Sequence, residues 1–260
     1  MNDKCIRHTN LAQQPRERHR RLGRHAVRRV ALAVATALLQ ACSTAPALPP
    51  DPSAPAAVLT PGPELPRLWG LPTPSAWQNE TAHWKATDGS LILTAGRNTD
   101  WFDWPGGGHH VDSAPRLLYK ADGDFSFSTQ VDVGTRKTYD AGCVALYGTT
   151  THWAKLCLEA QASGGLSVIS VVTRGLSDDV TSFPVDGSSI YLKAAKDHGA
   201  IFFYASQDGT KWEIVRKFNL ESRDGLWVGF SAQSPDGDGA SARFTNVRYS
   251  GGPVNLWDLR

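Results

Sequence analysis

The chain has 260 residues and carries 27 Lys and Arg against 25 Asp and Glu, which gives a formal net charge of +2 at pH 7. Its four cysteines and eight histidines form no CxxC or HExxH pattern, so the sequence predicts no metal site and no cofactor. The length is sufficient for one sizeable hydrophobic core together with shorter flanking segments.

The N-terminus has the features of a bacterial lipoprotein signal. Residues 1–29 contain a dense run of arginines, and residues 30–39 are an uninterrupted stretch of apolar residues and threonine. This stretch is about half of the roughly 20 residues that a membrane-spanning helix needs, but it suits the core of a signal peptide. Leu39-Gln40-Ala41-Cys42 follows, so we expect residues 1–41 to be a signal peptide and Cys42 to be lipidated. The alternative is an ordinary cysteine after an uncleaved anchor.

Removal of the signal peptide would reverse the sign of the net charge. The first 41 residues hold nine of the basic and two of the acidic side chains, which leaves 18 basic against 23 acidic residues and a net charge of −5. Nucleic acid is therefore not an expected partner, because a phosphate backbone favours a basic surface. Ser43, rather than Asp, follows the lipidated cysteine, a pattern that resembles lipoproteins of the outer membrane. We expect a lipid-anchored protein of the cell envelope that is directed to the outer membrane.

The composition changes twice after Cys42. Residues 42–66 are rich in Pro, Ala and Ser with almost no large apolar side chains, which predicts an extended tether. Residues 67–250 are rich in aromatic and β-branched residues separated by turn signals, without an internal repeat or a long segment of helical periodicity. They predict one domain of short strands, followed by a C-terminal tail at residues 251–260.

The strand pattern is clearest at residues 125–133, where Phe125, Phe127, Val131 and Val133 alternate with polar residues and would face a core. A tight turn is expected at Asp208-Gly209, because this dipeptide readily adopts positive φ. Further strands are predicted at residues 143–147, 153–159, 166–173, 190–195, 201–205, 212–218, 226–232 and 242–249. Many short strands without a helix indicate an all-β fold of two antiparallel sheets packed face to face, a β-sandwich or jelly roll.

Two of these segments flank a Gly-Thr-Thr-Thr turn and predict a β-hairpin. Pairing about Thr150 places Cys143 opposite Cys157, with Cβ atoms about 4.5–5.5 Å apart across the ladder. That distance permits a disulfide after modest adjustment, and an exported domain would meet an oxidising compartment. Two free thiols are the alternative.

The second strand of this hairpin has a polar face. Trp153, Lys155 and Glu159 would lie on the same side of the strand as Cys157, whereas Ala154 and its neighbours on the other side would face the core. The three side chains could therefore meet a ligand together. The alternative is a solvated face with an ordinary charge pair.

Several motifs follow one another in the order of a known family. Residues 98–105, Asn-Thr-Asp-Trp-Phe-Asp-Trp-Pro, are similar to a Thr-Asp-Phe-x-x-Asp-Pro signature, and residues 153–159, Trp-Ala-Lys-Leu-Cys-Leu-Glu, are similar to a Trp-x-Lys-x-Gly-x-Glu strand. Further matching motifs are found at residues 114–119, 123–125, 139–142, 171–174, 206–212 and 242–244. Over about residues 67–250 the chain resembles the "regulation of enolase"-like family, a domain of unknown function. This resemblance implies a concanavalin A-like lectin/glucanase jelly roll.

The chain departs from the family pattern at two places. Trp104 stands where the family has Asp, and Cys143 and Cys157 replace an apolar residue and a Gly. Cysteines at both facing positions support a disulfide bridge.

Carried over position by position, the resemblance implies a ligand-binding groove. Its residues are Asp100, Trp101, Tyr139, Asp140, Trp153, Lys155, Glu159, Thr173 and Arg174. Aromatic rings suit the flat C–H faces of sugars, and carboxylate or guanidinium groups suit their hydroxyls, so we expect a carbohydrate or glycan ligand. The structural alternatives are core filling for the tryptophans, a turn cap for Asp100, and a surface ion pair with Asp178 or Asp179 for Arg174.

Catalysis is the less expected function. Retaining glycoside hydrolysis needs two carboxyl groups about 5–5.5 Å apart, one of which is protonated. The Glu-x-Asp-x-x-Glu run of glucanases with this fold is absent, and Lys155 would favour the charged form of Glu159. We expect a non-catalytic carbohydrate-binding domain. The alternatives are a glycoside hydrolase-like enzyme that acts on an envelope or external polysaccharide, and a protein-interaction or regulatory scaffold.

Overall fold

The structure, a computed structural model, describes residues 59–62, 69–81, 83–134 and 137–259. The predicted signal peptide, the predicted lipidation site Cys42 and most of the predicted tether lie outside these residues. The part of the tether segment that is described contains a two-residue strand, Thr60–Pro61, paired with the sandwich. In the described ranges, no helix has the length and apolar character needed to cross a membrane.

The described part of the chain is built from β-strands, and the all-β prediction is confirmed. In chain order the strands are β1 (Thr60–Pro61), β2 (Ser75–Gln78), β3 (Trp84–Thr87), β4 (Ser90–Ala95), β5 (Trp101–Asp103), β6 (His110–Asp112), β7 (Arg116–Ala121), β8 (Phe125–Val133), β9 (Ala141–Thr149), β10 (His152–Ala160), β11 (Leu166–Arg174), β12 (Leu176–Val185), β13 (Ser189–Asp197), β14 (Ala200–Ser206), β15 (Glu213–Phe218), β16 (Leu226–Gln233) and β17 (Ala240–Gly251).

Two large antiparallel sheets pack face to face as a sandwich. Sheet A has the strand order β1-β2-β7-β16-β9-β10-β11-β12, and sheet B has the order β15-β14-β13-β8-β17-β4-β3. Strands β5 and β6 form a separate two-stranded hairpin, the β5–β6 hairpin. Its connection to sheet A through residues 113–115 places it on the outer face of that sheet.

The core between the sheets follows from the alternation of the strands. Strand β8 alternates strictly between buried and half-buried residues, and Phe125, Phe127, Val131 and Val133 face the core, as predicted. From sheet A, Leu156 contributes to the same core. Burial of these side chains supplies the main driving force for folding, at about 1.5–3 kcal/mol for each large apolar side chain.

The central strands of sheet A are buried on both faces. In β9, β10 and β11, one set of alternate residues enters the core between the sheets and the other set enters a second apolar cluster on the outer side. An antiparallel sheet commonly leaves its second face in water. Here the β5–β6 hairpin covers that face.

The predicted hairpin of β9 and β10 has the expected register. Cys143 lies directly opposite Cys157, and the two residues form a disulfide with a Cα–Cα distance of 4.1 Å. Both cysteines are fully buried in the outer cluster. The strand alternation also agrees with the prediction, since Ala154 faces the core and Trp153 faces the outer cluster.

The C-terminal tail packs on the outer face of sheet B. Leu256 is buried in a small cluster with Tyr204 and Trp212. The hydroxyl of Tyr204 donates to the carbonyl oxygen of Leu256, and the backbone N–H of Trp212 donates to the carbonyl oxygen of Leu259 at 2.9 Å. The tail therefore covers part of this face, near strands β13 to β15.

Candidate functional site

The β5–β6 hairpin closes the face of sheet A that the sequence predicted as a groove. Trp101 on the hairpin stacks on Trp153 of β10, with ring centroids 4.0 Å apart and an interplanar angle of 19°. The Arg116 guanidinium lies 4.1 Å from the centroid of the Trp101 ring. Trp101 is 1% exposed and Trp153 is 0% exposed. The expectation that these two indoles line an open groove is wrong. Both rings are packed inside the outer cluster, where they stack on each other and Trp101 also contacts Arg116.

Directional hydrogen bonds fasten the hairpin to the sandwich. The Asp103 N–H donates to the Ser177 hydroxyl at 2.9 Å, and Thr99 and Ser234 exchange two backbone hydrogen bonds of 3.0 and 3.1 Å. Arg116 forms an ion pair with Asp112, which lies opposite Trp101 in the hairpin. The hairpin is thus an integral layer of the fold.

Beneath one end of the hairpin lies a polar cluster formed by Asp100, Lys155, Glu159 and Gln233. Lys155 is 2% exposed, and its ammonium donates to Gln233 Oε1 at 2.7 Å and to Asp100 Oδ1 at 3.2 Å. The Gln233 amide donates to the Tyr139 carbonyl oxygen at 3.1 Å. A buried ammonium is costly unless it is paired and hydrogen-bonded, and this cluster satisfies both conditions.

Glu159 is the member of the polar cluster with the most unusual electrostatics. Its burial raises the pKa of the carboxyl to about 7, although Lys155 and a hydrogen bond from Gln161 act in the opposite direction. Lys155 favours the charged form of Glu159, as expected, but it does not determine the direction of the pKa shift. The physical reason is that desolvation of the carboxylate outweighs the attraction of an ammonium that is already paired with Asp100.

The remaining predicted ligand residues have structural partners or lie apart. Asp140 is fully buried and accepts hydrogen bonds from the Ser234 hydroxyl at 2.7 Å and from the Lys137 N–H at 2.9 Å, so it ties two loops together. Tyr139 beside it is 46% exposed. Thr173 is buried and hydrogen-bonded to the Ser177 hydroxyl at 2.8 Å.

Arg174 is exposed at the end of β11, and it does not form the ion pair with Asp178 or Asp179 that was the predicted alternative. Its guanidinium donates to the carbonyl oxygen and the side-chain oxygen of Asn219 at 2.7 and 2.9 Å. Asp178 pairs with Arg216 instead, at 2.6 Å. Of the nine predicted residues, the structure therefore brings Asp100, Lys155 and Glu159 together with the Tyr139 backbone, whereas Arg174 lies outside this group. Ligand contact by these residues stays a prediction.

An open concavity lies on the opposite side of the molecule, over the outer face of sheet B. This sheet B cavity has a volume of about 750 Å³. Its floor consists of outward-facing side chains of β8, β13 and β17, and its rims are the turn at residues 208–212 and residues 69–70. The floor includes Ser126, Ser128, Tyr191, Lys193 and Arg248.

A β-bulge in β17 shapes this floor. Phe244 faces the core opposite Val131, and strict alternation would place Arg248 on the same side. The register shifts by one residue between Thr245 and Arg248, and Asn246 adopts a positive φ of 51° there. Because a bulge inserts one extra residue, Arg248 faces outward into the cavity.

Two polar groups of the cavity, Asn246 and Lys193, are held by their neighbours. The Asn246 amide donates to the Tyr191 hydroxyl at 3.1 Å and to Gln130 at 3.0 Å. The Lys193 ammonium lies 3.7 Å from the centroid of the Trp212 ring, and burial lowers the pKa of Lys193 to about 8. Sequence reasoning did not single out these residues. The outward positions of β8 and β13 were readable from the alternation, but the cavity also requires the bulge and the neighbouring turn.

Comparisons with known proteins agree with this architecture. A family model described as "Protein of unknown function (DUF1349)" matches residues 77–251. A search of curated protein sequences finds no match. Among solved structures, a functionally unknown protein from Saccharomyces cerevisiae is 22% identical with a TM-score of 0.65, and the match covers 70% of this chain and 97% of the yeast chain.

Two glycosidase structures are also similar. The GH43 BlXynB protein from Bacillus licheniformis is 18% identical with a TM-score of 0.55, and the match covers 68% of this chain and 37% of that chain. Xylan β-1,4-xylosidase from Bacillus halodurans is 16% identical with a TM-score of 0.55, and the match covers 76% of this chain and 41% of that chain. At these identities the likeness shows a shared β-sandwich fold, and it extends over about two-fifths of each enzyme.

Proposed function

We propose that this chain, which belongs to the family described as protein of unknown function (DUF1349), is a lipid-anchored envelope protein whose β-sandwich binds carbohydrate without cleaving it. The observation that carries the proposal is the sheet B cavity of about 750 Å³, lined by aromatic rings, hydroxyls and cationic side chains. Its volume lies within the range of about 300–1,000 Å³ that small-molecule sites occupy.

The chemistry of the cavity suits a sugar. Tyr191 is half-buried, so part of its ring faces the cavity and could contact the C–H face of a pyranose. Ser126 and Ser128 present hydroxyls from the same sheet, and these groups can donate to or accept from sugar hydroxyls. Side chains on adjacent strands are held more precisely than side chains on loops, which favours recognition of a defined ligand.

The described residues of this cavity do not supply the groups for hydrolysis. Asp208 is the one carboxylate among the described residues that line the cavity. Hydrogen bonds from the N–H groups of Lys211 and Thr210 lower the pKa of Asp208, so it is a charged acceptor rather than a proton donor. Glycoside hydrolysis usually requires two carboxyl groups with different protonation states. The cavity therefore supports binding rather than cleavage.

Affinity measurements on the purified full-length chain test this proposal. We expect binding to at least one polysaccharide on a broad glycan array, and isothermal titration should show that Tyr191→Ala lowers the affinity about tenfold or more. Ser128→Trp is a second variant, which fills the cavity from an outward position and leaves the core intact. Trp104→Ala is the matched control, because Trp104 is an exposed aromatic residue on the other side of the sandwich.

Three results would count against the proposal. They are an array without any binder, full affinity in both cavity variants, and a loss of affinity confined to Trp104→Ala. If the array is empty and affinity purification instead returns a stable protein partner, the scaffold alternative is favoured.

A glycoside hydrolase-like activity is the second candidate, and Glu159 favours it. Glu159, whose pKa burial raises to about 7 and which shares the polar cluster with Asp100, has the protonation behaviour of a general acid. Glu159 is only 8% exposed, so a substrate would have to reach the edge of the polar cluster. The enzyme hypothesis expects release of reducing ends from a polysaccharide and their loss in Glu159→Gln. Equal release by Glu159→Gln and the unmodified chain would contradict it.

The lipid anchor is a proposal that depends on the sequence at Cys42. Incorporation of a labelled fatty acid in a bacterial host, and its loss in Cys42→Ser, would support the anchor. Labelling that persists in Cys42→Ser would contradict it. Fractionation of the two membranes of the host tests the proposed outer-membrane location in the same cells.

A further inference from the structure

The cationic groups of the sheet B cavity form a row across three adjacent strands. Lys193 on β13 lies opposite Ser128 on β8, and Ser128 lies opposite Arg248 on β17. Since neighbouring strands are about 4.7–4.9 Å apart, the Cα atoms of the two cationic residues are roughly 10 Å apart, with a hydroxyl between them. All three side chains line the cavity.

Neither cation is neutralised by a carboxylate of the cavity. Within the described part of the chain, the guanidinium of Arg248 has no hydrogen-bond or ion-pair partner. Lys193 lies over the Trp212 ring, and Asp258 of the C-terminal tail is the acidic group that acts on it. Asp208 uses its Oδ1 atom to accept from the N–H groups of Thr210 and Lys211, both at 2.8 Å.

The charge of the cavity is opposite to that of the expected mature protein. Among the described residues, its lining carries two cationic side chains against one carboxylate, whereas removal of residues 1–41 would leave the chain at −5. A concave surface with one sign of charge concentrates ligands of the other sign. An unpaired arginine is also suited to a carboxylate or sulfate, because its planar fork can donate two parallel hydrogen bonds.

From this row we propose that the cavity binds an anionic glycan, whose carboxylate or sulfate groups contact Arg248 and Lys193 while its hydroxyls contact Ser128. This inference rests on the proposed carbohydrate-binding function and specifies the class of sugar. The length of the row favours an oligosaccharide, since two acidic groups on successive sugar units can reach both cations.

Titration calorimetry with matched sugars tests the inference on the full-length chain. The probes are oligogalacturonate, its methyl ester, dextran and dextran sulfate. We expect oligogalacturonate to bind at least tenfold more tightly than its methyl ester, or dextran sulfate at least tenfold more tightly than dextran. The pair that shows the preference identifies carboxylate or sulfate as the recognised group. The preference should decrease as salt increases.

Three methionine variants show which cationic side chains cause the preference for charged sugars. Arg248→Met and Lys193→Met keep the length of the side chain and should each reduce the preference several-fold. Arg243→Met is the matched control, because Arg243 is an exposed arginine of the same strand outside the cavity. It should retain the preference.

The possible results separate the inference from the proposed function. Equal affinity for the charged and neutral members of both pairs, with neutral sugars bound in the cavity, overturns the anionic class and leaves carbohydrate binding intact. If Arg243→Met and Arg248→Met lose the preference for charged sugars equally, the sugars are attracted to the positive surface in general. This result overturns the assignment of the preference to Lys193 and Arg248. Absence of binding to these probes and to every array glycan overturns both proposals.

Discussion

Replacement of Trp153 by alanine distinguishes a structural from a ligand-binding indole. The side chain is fully buried and stacks on Trp101 at 4.0 Å, so the variant creates a large cavity and removes an aromatic pair. Truncation of a buried Phe or Trp to Ala costs about 3–5 kcal/mol, and loss of a stacked pair accounts for about 0.5–1.5 kcal/mol beyond area burial. We therefore expect Trp153→Ala to lose about 3–5 kcal/mol of unfolding free energy. This is a large part of the roughly 5–15 kcal/mol that a typical domain has.

Urea denaturation followed by tryptophan fluorescence measures this loss as a lower midpoint with an unchanged slope. Trp101→Ala and the double variant complete a cycle, in which the coupling between the two rings should be about 0.5–1.5 kcal/mol. Trp104→Ala is the control, since Trp104 is 55% exposed and its removal should change the stability by less than about 0.5 kcal/mol. If Trp153→Ala keeps the stability of the unmodified chain but loses affinity for a glycan, the argument for a covered face is refuted.

Three further predictions follow from buried groups of sheet A. The double replacement Cys143→Ala with Cys157→Ala should lower the unfolding free energy by about 2–4 kcal/mol in denaturation without reductant, because the disulfide closes a loop of 14 residues; an unchanged midpoint would contradict this. Because folding raises the pKa of Glu159 from 4.5 to about 7, the folded state binds more protons between these values, and the stability of the unmodified chain should fall relative to Glu159→Gln as the pH rises from about 4.5 to 7. Parallel stability curves for the two proteins would refute the raised pKa. Lys155→Met should cost about 3–5 kcal/mol, since it leaves the carboxylate of Asp100 without its ammonium partner, and the double variant with Asp100→Asn should recover part of the loss in the same denaturation assay.

Local patterns were sufficient to predict much of the sandwich. The alternation of apolar and polar residues at Phe125–Val133 defined β8 to the residue, and the symmetric spacing about Thr150 defined the pairing of Cys143 with Cys157. Strands β1 to β7 were not predicted, and neither was β12. Strand β12 lies at the edge of sheet A, is largely exposed and contains Pro184, so it lacks the apolar alternation on which the prediction depended.

The cover over sheet A was harder to predict, although the sequence contained a signal for it. Strand β11, Leu166–Arg174, is apolar at both alternating sets of positions, which is typical of a strand buried on both faces. The identity of the covering element is a non-local property. Trp101 reaches Trp153 only because the β5–β6 hairpin folds back over the sheet, and no spacing within the chain encodes that path.

The sheet B cavity shows a different limit of sequence reasoning. Lys193 and Ser128 were predictable as outward positions of their strands, but their neighbourhood depends on the strand order β13-β8-β17. Arg248 joins them only through the bulge at Asn246, which reverses the side that a regular alternation assigns to it. A one-residue irregularity therefore decides whether this guanidinium meets the core or the cavity.

A crystal structure of the protein with a bound oligosaccharide identified on the array tests the central claim most directly. The account predicts electron density for the sugar over sheet B, in contact with Tyr191, Ser128 and Arg248. Density for the sugar on the other side of the sandwich, beside Glu159 or between the β5–β6 hairpin and sheet A, would contradict it.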